Sequence, residues 1–181
     1  MKTAFSIGTV LALAGLAASV IGTAGADNRK REEVVRATLV GFAEVPSVST
    51  PARGWFRAVI DEAAGTISYK LTYNGIGAVT QSHLHLGQHH TNGGIMVFLC
   101  TNLGNNPPNT AVQACPTVQP AEITGVIQAA DVTGTTGTGI PTQGIAPGEF
   151  GELVAAIRTG AVYVNIHSTP SPGGEIRGQI L

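Results

Sequence analysis

The stretch GWFRAVIDEAAGTISYKLTYNG, residues 54–75, decides the fold. In its first run Trp55, Arg57 and Val59 alternate with Phe56, Ala58 and Ile60, the period of two that sends successive side chains to opposite faces of a strand. Residues 61–65 form a turn interval, and beyond it Ile67, Tyr69, Leu71 and Tyr73 again share one face over 66–73. Asn74-Gly75 ends the second run with a turn pair. Two short alternating runs with a tight connection predict two strands, each with one face to bury. Trp55, Tyr69 and Tyr73 read as core or cross-strand packing rather than as a ligand platform.

The same signals extend in both directions. Residues 34–40 form a run before this pair, and 79–86, 95–101 and 123–129 form runs after it. The last two runs, 162–167 and 175–180, are joined by a Pro/Gly turn at 169–174. One segment has a different period. Phe150, Leu153, Val154 and Ile157 recur at three and four residues, Arg158 supplies a favourable C-terminal charge and Gly160 stops the pattern, so a short amphipathic helix is expected over 148–159. Glu149 and Glu152 near its start answer the helix dipole. The Gly- and Thr-rich stretch 133–144 reads as a flexible loop without chemistry of its own. The fold class that follows is all-β, an antiparallel β-sandwich or flattened barrel of about eight strands with one short helix before the last two.

The N-terminal segment points to export. Lys2 precedes an uncharged apolar run over 7–21, and Ala24-Gly25-Ala26 offers the small residues of a cleavage site, so residues 1–26 read as a signal peptide. The apolar run falls short of the roughly 20 residues of a membrane span, and none is expected after processing. A charged, mobile arm is expected over 27–33 and one domain over 34–181, in a secreted protein of the extracellular space or periplasm. Ten basic against eleven acidic side chains give no reason to expect nucleic acid or an anionic membrane as partner. In an oxidising compartment the only cysteines, Cys100 and Cys115, are expected to form a disulfide closing the Asn/Pro-rich loop between them. The rival role, a thiolate metal ligand, has no recognisable spacing to support it.

Several blocks resemble the chordin (CHRD) domain. They are Leu39-Val40-Gly41 with Glu44-Val45-Pro46, Gly54 with Phe56, residues 66–73, Ser82-His83-Leu84-His85-Leu86-Gly87 and Gly94-Ile95-Met96-Val97. Gly148-Glu149-Phe150 through Ile157, Tyr163-Val164-Asn165-Ile166-His167 and Gly173-Gly174-Glu175-Ile176-Arg177-Gly178-Gln179-Ile180 complete the set in family order. The resemblance implies an extracellular all-β domain. It does not deliver an activity, which has to be argued from a site.

The histidines are the candidate. Four of the five, His83, His85, His89 and His90, lie close together, and His167 ends the run at 162–167. Residues two apart on a strand point to one face about 6.5–7 Å apart, so His83 and His85 can share one ion. His167 completes a set if its strand lies beside theirs, and His89 or His90 could add a ligand from the following loop. Imidazoles without carboxylates favour copper or zinc. Binding through neutral imidazoles is expected to weaken as pH falls through about 6.5. Glu175 and Arg177 alternate on one strand and could pair with each other or orient a histidine. The His-x-His with a distant third His resembles part of the copper site of copper/zinc superoxide dismutase, where an arginine guides anions as Arg177 could. The likeness stops at the zinc half, since no Asp lies between Asp61 and Asp131. Three readings follow: a module that binds or displays copper or zinc, a non-catalytic adhesion module with structural histidines and an extracellular protein partner, or a copper-only superoxide dismutase. No nucleophile elbow or phosphate-cradling glycine loop is present in the sequence.

Overall fold

Eight strands form a single antiparallel sheet: β1 (Glu33–Val40), β2 (Arg53–Asp61), β3 (Thr66–Asn74), β4 (Val79–Leu86), β5 (Ile95–Thr101), β6 (Ala121–Ile127), β7 (Val162–Ser168) and β8 (Ile176–Gln179). The structure is a computed structural model that describes residues 1, 32–108, 110–135 and 143–181. The chain divides into Met1–Lys30 and Arg31–Leu181, and the fold is that of the second unit. The expected signal peptide, most of the expected arm and the middle of the 133–144 loop lie outside the described residues.

The strand order is β5-β4-β7-β8-β1-β2-β3-β6, and the end strands β5 and β6 approach each other, so the sheet is a nearly closed barrel. β2 and β3 pair over their full length from Arg53↔Asn74 to Asp61↔Thr66, as the alternation in the opening stretch requires. Their inward residues Phe56, Ala58 and Ile60 meet Ile67, Leu71 and Tyr73 in the core. The helix α1 (Phe150–Arg158) adds Leu153, Val154 and Ile157 to the same core. Gln113 bridges the end strands: its carbonyl accepts from Thr101 N–H at 3.0 Å, and its side-chain amide donates to Thr124 O at 3.0 Å. Cys100 and Cys115 form the disulfide, with Cα atoms 5.0 Å apart.

Some boundaries and one placement differ from expectation. The first strand begins at Glu33, inside the expected arm. The sixth is shifted two residues toward the N-terminus, because the Asp131 carboxylate accepts from Gln128 N–H at 2.8 Å and turns the chain into a 3₁₀ segment, Ala129–Asp131. Tyr69 and Tyr73 are buried, but Trp55 is 54% exposed on the outer face and is no part of the core. Among the described residues no helix is long and apolar enough to cross a membrane.

Candidate metal centre

β4 and β7 are neighbours, as the shared histidine set requires. Their register sets His83 opposite Asn165, His85 opposite Tyr163 and Gln81 opposite His167. Leu84, Val164 and Ile166 point into the core, so these alternate residues occupy the opposite side of the sheet. Register shifts between β4 and β5 flank His83 and Leu84, local bulges that re-aim side chains. The outer side is covered here. His83 is fully buried and His85 and His167 are 7% exposed.

The three imidazoles converge, each offering one ligand nitrogen within 4.8 Å of the others. His83 Nδ1 lies 3.3 Å from His167 Nε2. Two nitrogens each about 2.0–2.1 Å from one tetrahedral ion stand roughly 3.3 Å apart, so this separation fits one shared ion, and equally a hydrogen bond from His83 Nδ1–H to the His167 Nε2 lone pair. Carbonyl oxygens fix two tautomers: His85 Nδ1–H donates to Gly93 O at 2.9 Å, and His167 Nδ1–H donates to Pro172 O at 2.9 Å. Both Nε2 atoms are thereby left as lone pairs. Backbone support of the far ring nitrogen is what orients metal-ligating histidines.

Asn165 was not singled out by sequence reasoning, yet its side-chain Oδ1 lies 3.1 Å from both Nε2 atoms. An oxygen cannot donate to these two lone pairs, so the amide satisfies them only when turned by 180° to present its NH₂ end, which has two hydrogens to give. The available signal was the alternation that puts Tyr163, Asn165 and His167 on one face. His83 Nε2 is buried without a hydrogen-bond partner. Phe98 packs edge-on against the His83 ring, centroids 4.4 Å apart, and keeps this corner apolar. Burial holds all three rings neutral. It pushes His83 down to about 2, helped by His85 and His167; it pushes His85 down to about 4 against the Gly93 hydrogen bond; and it lowers His167.

The other expected residues take different roles. Arg177 touches no histidine directly: its guanidinium lies 3.4 Å over the Tyr163 ring, which stacks at 4.7 Å on His85. It donates to Thr91 O at 2.6 Å and Gln88 O at 3.1 Å, pinning the loop that covers the site. Glu175 accepts from the Ser168 hydroxyl, from Thr50 Oγ1 at 2.8 Å and from Gly77 N–H at 3.1 Å, so it pairs with neither Arg177 nor a histidine and steadies the strand beside His167. His89 and His90 are exposed and stay outside the cluster, because the chain has already turned away from β4 at Gly87. The cluster's loop depends on Gly93: a Cβ there would lie 1.6 Å from Leu86 O.

The CHRD domain matches residues 35–180, most of the chain. This protein belongs to the CHRD family. No curated protein and no solved structure matches it. In this CHRD domain the blocks near the two ends of the match meet in space. Val40 pairs with Arg177, and Glu44 fills the place where a Cβ on Gly174 would stand, 2.5 Å from its Oε1. Gly174 also holds φ +127°, a conformation that side chains avoid. The CHRD blocks around His83 and His167 meet in the same way, and their meeting makes the histidine cluster.

Proposed function

We propose that this CHRD protein is exported through a signal peptide over residues 1–26 and binds one copper or zinc ion through His83, His85 and His167. The convergence of three buried, neutral imidazoles, two of them oriented by backbone carbonyls, carries the reading. A set of nitrogen donors without a carboxylate suits copper or zinc over calcium or magnesium. The disulfide supports an oxidising compartment. Burial of all three rings favours holding or buffering an ion over turnover, since catalytic metals keep an open position.

A second reading has its own observation. The Asn165 amide can satisfy the Nε2 atoms of His85 and His167 with no ion present, as a structural network in an extracellular interaction module would require. Thermal melts with and without copper(II) or zinc(II), on untagged wild type and His85→Ala, separate the two. With free metal a hundredfold above its dissociation constant, binding stabilises wild type by about 2.7 kcal/mol, and the variant loses that gain. An unmoved wild-type midpoint, or equal shifts in both proteins, means that the histidines are structural.

A further inference from the structure

We infer that the outer face of β1, β2 and β3 is a binding platform for an acidic polysaccharide, built from Arg36, Arg57, Lys70 and Trp55. The register places Arg36 directly opposite Arg57 and Arg57 directly opposite Lys70. All three are exposed and form a cationic row across three strands, spanning about 10 Å at the ordinary strand spacing. Like charges directly opposite one another destabilise a sheet, and this row occurs in a chain whose formal net charge is −1. Lys70 has a partner, Glu122 at 3.0 Å, so the positive surplus of the row rests on the two arginines. Among the described residues neither arginine has a side-chain hydrogen bond or ion pair, so two full positive charges remain on offer.

The adjacent row is Thr38, Trp55 and Thr72, again paired strand to strand. Trp55 exposes more than half its surface beside the arginines, and the two rows line a groove of about 210 Å³. An indole face accepts the apolar face of a sugar ring, the two threonines offer hydroxyls to sugar hydroxyls, and guanidinium forks fit carboxylate or sulfate groups in bidentate fashion. The row runs strand to strand across the sheet, so it suits a linear chain carrying its acidic groups in sequence. A second copy of this protein would bring the same cations against themselves. The exported location proposed above favours polysaccharide over nucleic acid.

Trp55 is the only tryptophan, so fluorescence excited selectively at tryptophan reports on this face alone. The test titrates the full exported protein, with chelator present to silence the histidine centre, with an oligogalacturonate and with its neutral methyl ester. Anionic phospholipid vesicles and a single-stranded oligonucleotide serve as the other arms. The acid form is expected to give a saturable change that weakens with added salt, and the ester to bind at least about tenfold more weakly. Arg57→Gln and Arg36→Gln are each expected to weaken binding about tenfold or more while leaving the metal response as in wild type and the thermal midpoint no lower, since each relieves a like-charge pairing. Trp55→Ala, followed by calorimetry, is expected to lose affinity as well. No response, equal response to the ester, undiminished binding by Arg57→Gln, or tighter binding of vesicles or oligonucleotide overturns the inference.

Discussion

At the scale of single residues the chemistry turns on groups whose charge the interior refuses. His83 and His85 were legible as a pair from their spacing, and His167 from its strand. Their environment was not legible, because it depends on Gly93, Pro172 and Asn165, which reach them only through long-range folding. Burial moves the pH window away from that of a free imidazole. All three rings are held below the ordinary histidine range, so metal affinity is expected to fall at lower pH than it would for free imidazoles, with His85 protonating near 4. Metal titrations at pH 7, 5.5 and 4 check this, and a tenfold or greater loss between 7 and 5.5 would contradict it. Stability follows a different window. These pKa values lie below that of an unfolded histidine, so their contribution is complete above about 6.5 and declines as pH falls toward 4, on the order of 3 kcal/mol for His85. Glu44 works in the opposite direction. Burial raises it to about 7 against the pull of Arg177, and one carboxylate oxygen has no partner. Its contribution is complete below about 4.5 and is lost as pH rises through 7, again on the order of 3 kcal/mol. Urea denaturation at pH 5 and pH 8 is expected to find Glu44→Gln gaining on wild type at the higher pH only.

At the scale of elements the sequence was most legible where one face is buried and the other wet. Residues 54–75 announced β2 and β3 because alternation survives in full there. It was least legible in β7, whose residues are all buried: Val162, Val164 and Ile166 enter the core while Tyr163, Asn165 and His167 are roofed by loops. A polar face that is covered looks, in sequence, like a polar face in water. The roof depends on the 87–94 loop folding back on the end of β4, which only glycine permits at position 93. Gly93→Ala is expected to push this loop outward and withdraw the carbonyl that orients His85. Loss of such support typically costs 10–100-fold in metal affinity. Calorimetric titration with zinc(II) measures it, and unchanged affinity would mean that the loop does not hold His85 in place.

At the scale of the whole molecule, local pattern could announce strands but not their order. The neighbours that matter most, β4 with β7 and β1 with β8, are far apart in sequence, and short loops cannot dictate those contacts. The CHRD blocks carried that information instead, since the blocks that meet are the ones the resemblance rests on. The nearly closed barrel has one further consequence. Its two end strands do not zip together; the segment ahead of Cys115 stands between them, with Gln113 reaching to both sides. Reduction of the disulfide lowers the stability of the fold by about 3 kcal/mol on the chain-entropy model and frees that segment from its tie to Cys100. Once it swings clear, β5 and β6 become bare edges whose unpaired amides and carbonyls can recruit another chain. A reducing compartment would therefore turn the domain into a seed for strand-to-strand aggregation. Light scattering of warmed, reduced protein should rise with chain concentration while the oxidised protein stays clear.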